Sequence, residues 1–307
     1  MSVHGELTET ALLLGRSRNL VAIVTRSNSV STALPAVVLL NAGSIHRVGP
    51  NRLYVRAARS LAATGQLVCR FDFAGLGDSA TGKATESAAG FEARAAQETG
   101  QVMDDLAERF GVKRFVLVGL CSGADIAYRH ARVDGRVAGA VLVNGHLVSD
   151  AVLRSVYPRA RARAASRRYL KKLSSPASWR RLLAGESVGW KALTSGLERF
   201  VSRPFERLLA RRSRVNPEVS TVVEVAAELA QLAARRARIS LVYSDGSLAY
   251  DVYRLTLHRA LRELLRSRQV ELRIVRRTDH VFSSLTSQGR LLALITRGVQ
   301  CAYAASG

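Results

Sequence analysis

Cys121 stands at the centre of Gly119-Leu-Cys-Ser-Gly123, between the apolar run Phe115-Val-Leu-Val118 and a stretch of helix-forming composition that begins after Gly123. The G-x-C-x-G spacing reads as strand, sharp turn, helix: a nucleophile elbow with cysteine in the position more often held by serine. Glycines two residues either side let strand and helix pack closely around a strained turn. The sulfur would leave that turn at the amino end of a helix, whose dipole favours a thiolate and so covalent, nucleophilic chemistry. Ser122 is flanked at the same spacing by Leu120 and Ala124, so the register selects Cys121. The plain alternative, a small buried core residue, fits Cys69 in its predicted strand better, and Cys301 near the tail carries no signal.

The elements that must position such a turn follow from the apolar runs. Ala11–Leu14 and Leu20–Val24, on either side of Gly15-Arg-Ser-Arg-Asn19, predict a hairpin. Buried strands are expected at 35–40, 66–73, 114–118, 137–143, 239–243 and 270–275, with helices over 53–63, 86–109, 252–266 and 291–303. Strands alternating with helices argue an α/β class, a mostly parallel central sheet covered on both faces. From 148 to 236 the strand signals vanish and arginines crowd in, which reads as a helical cap inserted between core segments 1–147 and 237–307.

Composition narrows the function classes. A chain of 307 residues with 48% hydrophobic content supports one large core and a lid. No apolar run reaches the roughly 18 residues of a membrane span, and the amino terminus lacks a signal-peptide pattern, so a cytoplasmic location is expected. The cysteines show no metal or disulfide spacing, and no cofactor or metal is expected. Asp72-Phe-Ala-Gly-Leu-Gly-Asp-Ser79 is glycine-rich but lacks the Lys-Ser/Thr of a phosphate loop, which leaves it an architectural turn. The net charge of +22 reflects a shortage of acidic residues as well as abundant arginine, and points to an anionic partner. Nucleic acid is disfavoured, because the basic segment lacks aromatic interleaving beyond Tyr157, Tyr169, Trp179 and Trp190.

The sheet order, elbow, inserted cap and late histidine together resemble the α/β-hydrolase fold over nearly the whole chain. Within that fold the chain is similar to the exosortase A system-associated hydrolases and related bacterial hydrolases. The likeness rests on Gly43-Ser-Ile-His-Arg-Val-Gly-Pro-Asn-Arg52, Arg70-Phe-Asp-Phe-Ala-Gly-Leu-Gly-Asp-Ser79 and the Gly-Leu-Cys elbow. The resemblance implies the chain order nucleophile, acid, base, which places the base at His280. Asp245, just past a strand end, is the implied acid, with Asp251 as its alternative, since relatives hold an acid near position 247, where this chain has Ser247. The implied oxyanion donors are the backbone amides of Ser122 and of Gly43 or Ser44, in a loop where Asn41-Ala42 replaces the usual His-Gly. His46, Arg47 and Arg52 on that loop fit substrate contact or loop support equally. The implied activity is hydrolysis or acyl transfer of an ester or thioester through an acyl-enzyme, with an anionic substrate or one borne on an acidic acyl carrier protein. A degenerate hydrolase fold that binds an anionic partner without turnover is the other class.

Overall fold

The computed structural model describes residues 6–28, 31–79, 88–173 and 217–304. Strands β1 (Leu7–Leu14) and β2 (Leu20–Ser27) form the expected hairpin, longer than its apolar runs. They are followed by β3 (Ala36–Leu40), α1 (Leu53–Ala62), β4 (Val68–Phe71), α2 (Ala88–Phe110), β5 (Phe115–Leu120), α3 (Ser122–Val133) and β6 (Val137–Val143). Helices α4 (Asp150–Leu173) and α5 (Pro217–Ala234) precede β7 (Arg238–Ser244). The chain closes with α6 (Leu248–Leu255), α7 (Leu257–Ala260), α8 (Arg262–Arg266), β8 (Val270–Val275) and α9 (Leu285–Ala304).

One eight-stranded sheet runs β1-β2-β4-β3-β5-β6-β7-β8. The β1–β2 and β2–β4 pairs are antiparallel, and every other pair is parallel. The period of two along each strand divides the core. Val37, Leu39, Val116, Val118, Val141 and Val143 point to the face covered by α1 and α9. Val38, Leu40, Leu117 and Leu142 point to the face covered by α2, α3 and α5. Because both faces are buried, these strands are continuously apolar rather than alternating.

Two helix starts depart most from the sequence expectation, each for a local reason. The helix expected over 252–266 starts four residues earlier, where the Ser247 hydroxyl caps it by accepting the Ala249 amide. It then breaks at Thr256, whose own hydroxyl bonds back to the Val252 carbonyl, and again at Leu261. The last helix begins at Leu285, six residues before the expected start, where the Ser284 hydroxyl accepts the Ser287 amide. Of the cap expected over 148–236, α4 and α5 are helical, while residues 174–216 lie outside the described set.

Beneath the carboxyl edge, Tyr54 of α1 ties two strands together. Its hydroxyl donates to the Leu40 carbonyl at the end of β3 (2.8 Å) and accepts the Leu120 amide at the end of β5 (3.0 Å). Full burial pushes its ionisation far above the ordinary phenol value. Replacing Tyr54 by Phe would strand both backbone groups in a dry site, and is expected to lower unfolding stability by about 2–4 kcal/mol, measured by urea titration.

Candidate active site

The elbow forms as its spacing predicts. Cys121 (φ 58, ψ −125) lies between β5 and α3 in a conformation that a side chain seldom adopts. The approach that holds it there is backbone on backbone. A Cβ on Gly119 would lie 2.1 Å from the Gly123 carbonyl oxygen, and one on Gly123 would lie 2.4 Å from that of Asn41. The thiol is half-buried. Burial raises its pKa above the ordinary 9.0 and the Asp125 charge adds to that, against a downward pull from the Ser122 amide. This is opposite in direction to the helix-dipole expectation, because desolvation of the anion outweighs one favourable amide.

His280 follows β8 and shares an anchor with Cys121. The Cys121 amide donates to the carbonyl of Val143, the last residue of β6, at 2.8 Å. The next residue, Asn144, donates its side-chain amide to the His280 carbonyl at 2.8 Å and accepts the Ser244 amide through its carbonyl oxygen at 2.8 Å. The His280 Nδ1 lies 2.7 Å from Ser247 Oγ. Burial holds the imidazole below its ordinary pKa; the charge of His146 acts in the same direction, and Asp279 opposes it.

The two aspartates named from the sequence lie elsewhere in this cluster. Asp245 Oδ1 accepts the Thr278 amide at 3.3 Å, so its carboxylate braces the loop that carries His280. Asp251 is buried in the first turn of α6. Ser247 reaches the ring because Gly246 touches the Thr278 carbonyl, where a Cβ would come within 2.4 Å. Its hydroxyl also caps α6 through Ala249, so this small residue both starts a helix and meets the histidine.

On the loop after β3, the Gly43 amide donates to Ser122 Oγ at 2.9 Å, which joins the two residues named as oxyanion donors. Ser44, His46 and Arg52 are exposed along this loop. Arg47 is engaged differently, with its guanidinium bridging Asp72 (2.5 Å) and Asp78 (2.6 Å). The fully buried Asp72 also accepts the Arg47 amide at 2.5 Å and the Asn41 side-chain amide at 3.1 Å, so Arg47 supports the loop. The glycine-rich turn is thereby architectural, as its missing lysine implies.

Three residues at this edge were not singled out from sequence. Asn144, Asp125 and His146 gather at the end of β6, where Asp125 of α3 accepts the His146 and Leu147 amides. The available signal was position: Asn144-Gly-His146 directly follows a buried strand on the edge that carries the elbow. Among the described residues no group of three metal-ligating side chains occurs, and no helix is long and apolar enough to cross a membrane.

Similar folds occur among solved hydrolases. A proline iminopeptidase of Mycobacterium smegmatis superposes with a TM-score of 0.58 at 15% identity, over 98% of this chain and 100% of that one. A dienelactone hydrolase of Anabaena variabilis gives 0.53 at 12% identity over 97% and 98%. An esterase of Pyrococcus furiosus gives 0.52 at 15% identity over 96% and 91%. At such identities the likeness is one of fold. No curated protein sequence matches the chain. The model of the alpha/beta hydrolase family matches residues 37–293, a span that takes in the elbow, the loop after β3 and His280, and the chain belongs to that family.

Proposed function

We propose that the chain is a cysteine-nucleophile enzyme that forms an acyl-enzyme from an ester or thioester and passes the acyl group to water, an alcohol or an amine. One observation carries this reading: the end of β6 is hydrogen-bonded to the Cys121 amide through Val143 and to the His280 carbonyl through Asn144, which gathers nucleophile and base at one strand end. The resemblance of the Gly-Leu-Cys elbow to that of the exosortase A system-associated hydrolases supports the assignment.

In this mechanism the Cys121 thiol gives its proton to His280 Nε2 as sulfur bonds to the acyl carbon. Nε2 must then be bare, so Nδ1 carries the hydrogen and donates it to Ser247 Oγ. That oxygen has two lone pairs, one for His280 and one for the Ala249 amide. Ser247 therefore fixes the tautomer, the part of the acid's role that a neutral hydroxyl can perform. The developing oxyanion takes the Ser122 amide, and the Gly43 amide once Ser122 Oγ yields it; the imidazolium then protonates the leaving group.

The arginine surplus supports an anionic substrate or an acidic carrier. Arg154, Arg159, Arg161 and Arg163 stand exposed along α4, with no ion pair to another described residue. The binding-protein reading has two observations of its own: a thiol raised by burial, and a histidine with a hydroxyl rather than a carboxylate at Nδ1.

Three outcomes are expected. With p-nitrophenyl acetate, the native protein should gain an acetyl mass on Cys121, and Cys121→Ala should lose that adduct and at least about 10³-fold in turnover; equal turnover in both proteins would sink the enzyme reading. With Cys121 raised and His280 lowered, the resting pair is neutral thiol and neutral imidazole. Alkylation of Cys121 by iodoacetamide should then climb with pH, about tenfold per unit through the range below the raised thiol pKa, whereas a thiolate–imidazolium pair would give a plateau near neutrality. The double variant Arg154→Glu, Arg161→Glu should raise KM for a carboxylate-bearing ester by about tenfold and leave a neutral ester unchanged.

A further inference from the structure

The same edge holds a second histidine, and it has a carboxylate behind it. His146 Nδ1 lies 3.7 Å from Asp125 Oδ2. The other oxygen of that carboxylate accepts the amides of His146 and Leu147, each at 2.9 Å. Both Asn144 (φ 51) and Leu147 (φ 61) are left-handed non-glycine residues, so the turn that presents His146 is strained at each end. Such strain persists where the surroundings over-determine a geometry. Here the surroundings are Asn144, tied to the His280 carbonyl, and Asp125, in the first turn of the helix that starts at the nucleophile.

A contrast between the two imidazoles suggests a division of labour. His280 meets a neutral hydroxyl at Nδ1, which fixes a tautomer but does little to stabilise an imidazolium. His146 has the Asp125 carboxylate behind its Nδ1, the arrangement that orients an imidazole for general-base work at Nε2. Both belong to one edge, because Asn144, two residues before His146, holds the His280 carbonyl at 2.8 Å, and the Asp125 amide donates to the Cys121 carbonyl at 3.3 Å.

We propose that His146, backed by Asp125, is the general base that activates the acyl acceptor in the second half-reaction, while His280 serves the first. The inference rests on the reading of Cys121 as the acylated residue. In the step, His146 Nε2 takes the proton of the acceptor O–H as its oxygen bonds to the acyl carbon. The carbon–sulfur bond then breaks and its electron pair returns to Cys121. The proton held by His146 finally restores the thiol, so an acyl thioester and an O–H compound become an acyl ester or acid and a free thiol.

The test follows the adduct of p-nitrophenyl acetate on Cys121 by intact mass in the native protein and in His146→Gln, which keeps the backbone amides that Asp125 binds. The variant should acylate within about twofold of native. Its adduct should decay in water about 100-fold more slowly. Hydroxylamine, a nucleophile strong enough to need no base, should clear it at the native rate. Decay in water at the native rate would overturn the proposal, as would an equal slowing with hydroxylamine, which marks a purely structural loop. Absence of any adduct on the native protein would instead overturn the Cys121 reading, and this one with it.

Discussion

Backbone packed directly on backbone, with no side chain between, sets where the Cys121 sulfur sits. Gly119 meets the Gly123 carbonyl and Gly123 meets the carbonyls of Leu40 and Asn41, so β5, α3 and the end of β3 share one contact. Nothing else in the site can be placed until that contact closes. The loop after β3 starts from it, and the Gly43 amide reaches Ser122 because of it. Tyr54 secures the same junction from below, since it joins the last residues of β3 and β5 through one hydroxyl.

The electrostatics of the edge run against the simplest expectation for a reactive cysteine. A helix amino terminus favours thiolate, yet half-burial and the Asp125 carboxylate push the Cys121 thiol upward. His280 is pushed the other way by burial, so neither partner is charged at rest. In the proposed mechanism charge appears only as sulfur attacks, when a proton can move and an oxyanion can take the amides. A site that works in this way protects its thiol from stray electrophiles and depends on geometry for its rate.

Much of the fold could be read from sequence because its signals are local. Ala36–Leu40 and Val137–Val143 are unbroken apolar runs, as strands buried on both faces must be, and the elbow announces itself by two glycines at fixed distance. The partner of His280 could not be read in this way. Asp245, Ser247 and Asp251 all lie within seven residues, and the ring's choice among them is made by Gly246 against the Thr278 carbonyl, a contact across the sheet edge. His146 beside Asp125 is a similar case, since 21 positions of chain separate residues that meet only when α3 packs on β6. The helix dipole at Cys121 is visible in sequence, whereas the burial that overrides it belongs to the packed molecule.

Asn144 gives the site a mechanical property. Its side chain grips the His280 carbonyl and the Ser244 amide, while the residue before it holds the Cys121 amide. Cys121 and His280, the proposed nucleophile and base, are therefore fastened to two consecutive residues at the end of β6 rather than to separate parts of the molecule. A displacement of the end of β6 would carry both residues together, so in the proposed mechanism the tolerance that proton transfer demands is set at one strand end.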